Sequence, residues 1–108
     1  LKFTLDQEAT LNFVVTTVNP SSIPSEGYNC QTASAPEKYK HSDPDFYVDK
    51  NGVNVVTAES CQANIEQTQD KILPAGDYVM EIAEWRFSDT DTREDFPARS
   101  CFDVSVTM

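Results

Sequence analysis

Apolar side chains recur at every second position along most of this chain, the period of a strand with one buried face. The clearest instance lies between Lys71 and Trp85. There Pro74 and Gly76 signal a tight turn, because proline presets its own φ and glycine tolerates a positive one. Beyond the turn Tyr78, Met80 and Ile82 share one face, while Asp77, Val79, Glu81 and Ala83 share the other. One face of this long strand is built for a core.

The same period predicts further strands. Leu1, Phe3 and Leu5 alternate with Lys2 and Thr4, and Leu11, Phe13 and Val15 face inward in a β-branched run from Ala9 to Val18. Asp43 to Lys50 and Val53 to Ala58 flank Asn51-Gly52, the residue pair of a type I′ hairpin, in which both central residues need positive φ. Ala63 to Thr68 is a weaker strand with Ile65 as its one large apolar anchor. Cys101 to Met108 alternates strictly, with Phe102, Val104, Val106 and Met108 on one face. Asn19 to Ser42, rich in proline and serine, and the acidic stretch from Arg86 to Arg99 read as long loops.

Seven short strands without helical periodicity predict an all-β fold, a two-sheet antiparallel β-sandwich spanning residues 1–108 as one domain. If successive strands run up and down, both long loops and all three cysteines gather at one end of the sandwich. His41, Asp43 and Trp85 fall at that end too, with His41 expected as an exposed loop residue.

Eighteen Asp and Glu against eight Lys and Arg give a net charge of -10, which repels phosphate backbones and argues against nucleic acid as a partner. Basic surfaces and cations suit it better. No apolar run approaches the roughly 20 residues of a membrane-spanning helix. The chain begins without an initiator Met or a basic-then-apolar leader, so an excerpt of a longer exported precursor is expected.

Three motifs, in order, carry a resemblance. Asp43-Pro44-Asp45-Phe46-Tyr47-Val48, Leu73-Pro74-Ala75-Gly76-Asp77-Tyr78-Val79 and Cys101-Phe102-Asp103-Val104-Ser105-Val106 resemble three strands of bacterial pre-peptidase C-terminal domains. That resemblance implies a jelly-roll-like sandwich in a secreted or surface protein, non-catalytic, and either removed during maturation or used to bind a protein or polysaccharide surface. Some relatives that bind collagen also bind calcium. The chain departs from the family in Phe46, in its two longer loops and in its three cysteines.

Several constellations carry candidate chemistry. Asp43 and Asp45 on one loop and Asp89, Asp91, Glu94 and Asp95 on another offer hard oxygen ligands for calcium, which takes 6 to 8 at about 2.3 to 2.6 Å. For Asp45, capping of backbone donors at the strand start is the competing reading. Cys30, Cys61 and Cys101 allow three single disulfides, of which Cys30 with Cys101 is favoured because the two long loops would flank one another. The cysteines with His41 lack the short paired spacings of structural zinc, and no nucleophile motif accompanies them. Tyr28, Tyr39, Trp85 and Phe87 are candidates for a platform on which a sugar or peptide stacks. Three readings result: a non-catalytic accessory or binding module, a calcium-dependent carbohydrate-binding or adhesion module, and a purely structural domain whose acidic loop only stays solvated.

Overall fold

A computed structural model of the chain describes residues 1–20, 22–34, 37, 41–85 and 101–108. Among these residues the chain forms seven strands: β1 (Lys2–Leu5), β2 (Ala9–Val18), β3 (Pro44–Lys50), β4 (Val53–Ala58), β5 (Ile65–Leu73), β6 (Gly76–Glu84) and β7 (Cys101–Thr107). A four-stranded sheet in the order β1-β6-β3-β4 faces a three-stranded sheet in the order β5-β2-β7, and every pairing is antiparallel. The all-β expectation therefore holds. No described helix is long and apolar enough to cross a membrane.

The core forms where the alternating faces meet. Leu11, Phe13 and Val15 from β2 pack with Phe46 and Val48 from β3, Val56 and Ala58 from β4, Leu73 from β5, and Tyr78 and Met80 from β6. Phe13 bridges the sheets, its ring centroid 5.8 Å from Phe46 and 6.1 Å from Phe3, and Phe3 stacks on Tyr78 at 5.1 Å. Burying each large apolar side chain contributes about 1.5 to 3 kcal/mol. The β7 face is less covered than its alternation suggests. Phe102 and Val104 are partly buried against the core, but Val106 is 38% exposed and Met108 is 89% exposed, because β7 is an edge strand running past the facing sheet.

Turn chemistry fixes the register. Asn51 and Gly52 take φ of 52° and 78°, as the hairpin between β3 and β4 requires. The turn between β5 and β6 is closed by the Tyr78 hydroxyl, which donates to the Pro74 carbonyl at 2.5 Å, and by Lys50 Nζ, which donates to the Ala75 carbonyl at 3.0 Å. Gly76 there has φ of 149°, and a Cβ on it would lie 2.6 Å from Lys50 Cε. β5 is longer than the sequence suggests, continuing through Lys71, Ile72 and Leu73. It carries a bulge opposite Leu11 and Phe13, where Asp70 adopts φ of 56° and its N–H donates to Asn12 Oδ1 at 2.9 Å.

Three further contacts hold the rim where β2, β4 and β6 end. Asn64 joins the sheets, its N–H donating to the Ser42 carbonyl at 2.7 Å and its carbonyl accepting from Thr17 N–H at 2.9 Å. The disulfide is Cys30–Cys61, with Cα atoms 5.5 Å apart, and Cys101 is a free, exposed cysteine. The expected Cys30–Cys101 bridge is thereby corrected. Cys30 and Cys61 lie in the loops that join β2 to β3 and β4 to β5, whereas Cys101 opens an edge strand, opposite Val18 in the three-stranded sheet. A shared end of the sandwich does not bring thiols within the roughly 7 Å between Cα atoms that a bridge needs.

Two outcomes follow. Alkylation under native, non-reducing conditions should label Cys101 alone, with Cys30 and Cys61 labelled only after reduction. Reduction should then lower stability in urea by about 3 to 4 kcal/mol, the chain-entropy value for a loop of this length. Labelling of Cys30 or Cys61 without reductant would contradict the pairing. Gly76→Ala should cost about 1 to 3 kcal/mol, since alanine must adopt a backbone conformation that favours glycine and must displace Lys50. An unchanged urea midpoint would count against that account of the turn.

Candidate functional site: an acidic cleft at the rim

The register that points Phe46 and Val48 into the core directs the intervening residues of β3 the other way. Asp43, Asp45 and Tyr47 thus line one side, at every second position, and form the floor of a cleft of about 480 Å³. Glu59 and Ser60 come from the end of β4, the Cys30–Cys61 disulfide forms a wall, and Trp85 stands at the end of β6. The Trp85 backbone N–H donates to the Asp43 carbonyl at 3.0 Å, which continues the pairing of β6 with β3 beyond Pro44. None of the described residues lining the cleft is basic.

The surrounding carboxylates differ in how they are held. Glu66 is only 2% exposed, and Oε2 accepts from Ser60 N–H at 2.6 Å and from Ser60 Oγ at 2.8 Å while Oε1 accepts from Gln67 N–H at 3.1 Å. Glu84 accepts from Ser42 Oγ at 3.0 Å and from Asp43 N–H at 3.1 Å. Because Ser42 directs its proton to Glu84, Thr17 Oγ1 is the donor in its 2.7 Å contact with Ser42 Oγ. Glu59 accepts from the Tyr47 hydroxyl at 2.6 Å, and this bond, followed by burial, pushes the Tyr47 hydroxyl up to about 12.

Among the described residues Asp43 Oδ1 and the Asp45 side chain have no such support. Asp43 Oδ1 is buried without a hydrogen-bond partner. Asp45 is 7% exposed, and none of the described residues donates a hydrogen bond to its side chain, so the expected capping of backbone donors is not found among them. Burial first, then the charges of Asp45, Glu84 and Glu66, raise the Asp43 carboxyl to about 7. Burial first, then Glu66, Glu59 and Glu84, raise Asp45 to about 7 as well.

The other expected site residues are placed as follows. Trp85 is 41% exposed and lines the cleft. Tyr28 does not join it there: its ring packs edge-on against His41, with centroids 4.8 Å apart. Its hydroxyl is raised above its ordinary value by burial, then by Asp43 and Glu37. Tyr39 and Phe87 lie outside the described residues, as do Asp89, Asp91, Glu94 and Asp95. His41 is buried at 3% exposure, not exposed as expected, because the Tyr28 ring covers it and its two nitrogens contact Ser22 Oγ at 2.9 Å and Glu37 Oε1 at 3.2 Å. Among the described residues no three His, Cys, Asp or Glu converge closely enough to hold a metal ion, so Asp43 and Asp45 do not by themselves form a calcium site.

Tyr47, Glu59, Glu66 and Glu84 were not singled out by sequence reasoning. Tyr47 had a legible signal, since it continues the alternation of Asp43 and Asp45. Glu59, Glu66 and Glu84 had none, because their roles depend on loops folding back over the sheet. Comparison of the chain with protein-family models, with curated proteins and with solved structures finds no match.

The raised carboxyls set a pH dependence. Folding raises both from the ordinary value of 3.8 to about 7, so between these limits the native state binds more protons than the unfolded one, and stability falls as pH rises. Their favourable contribution is complete below about pH 4 and lost above about pH 7. Asp45→Asn should match the parent near pH 4 and melt higher at pH 8, by about 4 °C or more, the effect of ~1 kcal/mol in a domain of this size. A melting difference that does not change between these pH values would refute the assignment.

Proposed function

We propose that the chain is a non-catalytic binding module of an exported bacterial protein, of the pre-peptidase C-terminal type, with the rim cleft as its ligand site. The observation that carries this reading is the cleft itself: a concave surface with an aromatic side chain and with carboxylates that meet no basic residue among the described ones, set on a sheet and braced by a disulfide. Ligand sites favour such concave positions, where loops converge on a rigid scaffold. The Cys30–Cys61 bridge is compatible with an oxidising, extracellular compartment. Its partner in this reading is a protein or polysaccharide surface.

A calcium-dependent carbohydrate-binding or adhesion module is the second reading, favoured by the buried, unpartnered Asp43 Oδ1. It needs more oxygen ligands than Asp43 and Asp45 supply, and in the sequence the acidic stretch with Asp89, Asp91, Glu94 and Asp95 is their source.

Peptide and glycan arrays probed with the parent protein and with Trp85→Ala should show ligands that bind the parent and are lost or weakened in the variant. Identical patterns from the two proteins would refute the cleft as the binding site. A thermal melt separates the second reading, since an ion that binds the native state alone raises the melting temperature by mass action. No shift at millimolar calcium would remove the calcium-dependent module and leave the first reading standing.

A further inference from the structure

The ligand class can be argued from what the cleft lacks. Asp45 is more than nine-tenths buried, faces the cleft and accepts no hydrogen bond among the described residues, and Asp43 Oδ1 beside it is shielded and unpartnered. A buried carboxylate with neither donors nor a counter-charge is costly to keep ionised, whereas Glu66 and Glu84 nearby are both supplied with donors. Among the described residues no cation meets these carboxylates, and the partner that would complete them is a cation that also donates hydrogen bonds.

Its size follows from the walls. The carboxylates are spread along one strand and across to Glu59 rather than converging on a point, and the described residues hold no metal-sized cluster. A cleft of about 480 Å³ exceeds the space of a bare ion and lies in the range of small organic ligands. Trp85 and Tyr47 give it aromatic walls, whose π faces attract a guanidinium or ammonium group. The net charge of -10 steers such a group inward.

We propose that this cleft binds a basic side chain, the guanidinium of an arginine or the ammonium of a lysine, presented by a partner protein, with Asp45 as the anionic anchor and Trp85 as the aromatic wall. The proposal rests on the reading of the cleft as the ligand site and specifies what enters it. A planar guanidinium can donate two parallel bonds to the Asp45 carboxylate, and its charge distinguishes it from a neutral urea of the same shape. Binding requires the ionised carboxylates, so it releases protons. Among the described residues the titratable groups facing Asp43 and Asp45 are Glu59, Glu66, Glu84 and the Tyr28 and Tyr47 hydroxyls, with Asp45 also facing Asp43, and the carboxylates oppose ionisation until a cation arrives. Affinity therefore rises with pH through about 7.

The test titrates doubly blocked arginine amide, its neutral analogue citrulline amide, and calcium chloride into the isotopically labelled chain, reading backbone amide shifts. Arginine amide should move the amides of Tyr47, Glu59 and Trp85 saturably and bind more tightly at pH 8 than at pH 6. Citrulline amide should bind roughly tenfold more weakly or worse, the loss of a charge-assisted contact. Asp45→Asn should reduce arginine amide to the citrulline level while keeping a dispersed spectrum. Glu59→Gln serves the same purpose should Asp45→Asn not fold. Equal binding of both amides at the cleft would overturn the cationic ligand and leave the site standing. Failure of both to move any cleft amide at millimolar concentration would overturn the site as well. Saturable calcium binding that Asp45→Asn abolishes and arginine amide does not compete with would also overturn the proposal, in favour of a metal ion.

Discussion

The contact between Phe13 and Phe46 across the gap between the sheets is the constraint from which the rest follows. In a strand the side-chain period is two, so committing Phe46 and Val48 to the core commits Asp45 and Tyr47 to the opposite face. A slip of β3 by one residue would exchange these sets. It would expose two fully buried apolar side chains, worth about 1.5 to 3 kcal/mol each, and drive a carboxylate between the sheets. The core therefore does more than stabilise the domain. It holds the acidic floor of the cleft in a position those carboxylates would not choose by themselves, since charge repulsion at the rim is smaller than the combined cost of shifting the register.

The polar seam at the rim complements this constraint. Apolar packing says which face of each strand is inward but leaves the relative height of the two sheets loosely specified. Thr17, Ser42, Asn64 and Glu84 fix that height through directional bonds that run from β2 to the start of β3 and the end of β6. The Cys30–Cys61 bridge then ties the β2–β3 loop to the β4–β5 loop. Rigidity at this end is thus built from hydrogen bonds and a covalent link, because the acidic residues concentrated there cannot supply apolar contacts.

Legibility in the sequence divides along the same line. The strands that alternate cleanly, β2, β3, β4 and β6, could be read directly, and Asn51-Gly52 announced its hairpin because only a few residue types tolerate positive φ twice in succession. β5 was read short because its bulge at Asp70 interrupts the period, so Lys71 to Leu73 were attributed to the next turn. Alternation also placed the rim residues at the correct end. It carries no information about lateral position, however, and that is where the disulfide expectation went astray: Cys61 and Cys101 share an end but precede strands on opposite sides of β2. The burial of His41 was likewise invisible, since it depends on Tyr28 and Ser22 in a loop without periodicity. For the site, Asp43, Asp45 and Trp85 were legible as positions, while their electrostatic state was not. That state depends on Glu59, Glu66 and Glu84, which reach the cleft only through the tertiary fold.

The contrast among these carboxylates bears on what the cleft is for. A rim that served stability alone would gain from amides at residues 43 and 45, which could share a buried site without mutual repulsion. Solubility does not require carboxylates there either, because acidic residues on open surface supply the same net charge without desolvation. Among the described residues Glu66 accepts from three donors and Glu84 from at least two, while none donates to Asp45. Local rules of polar satisfaction are obeyed a few ångströms away and broken at the floor of the concave surface. Departures of this kind, confined to one site within an otherwise consistent fold, are where structure gives way to function. On the proposal of a cationic ligand, a positive group entering the cleft would relieve that strain, and carboxylates that have no partner among the described residues would be half of an interaction and not a defect in packing.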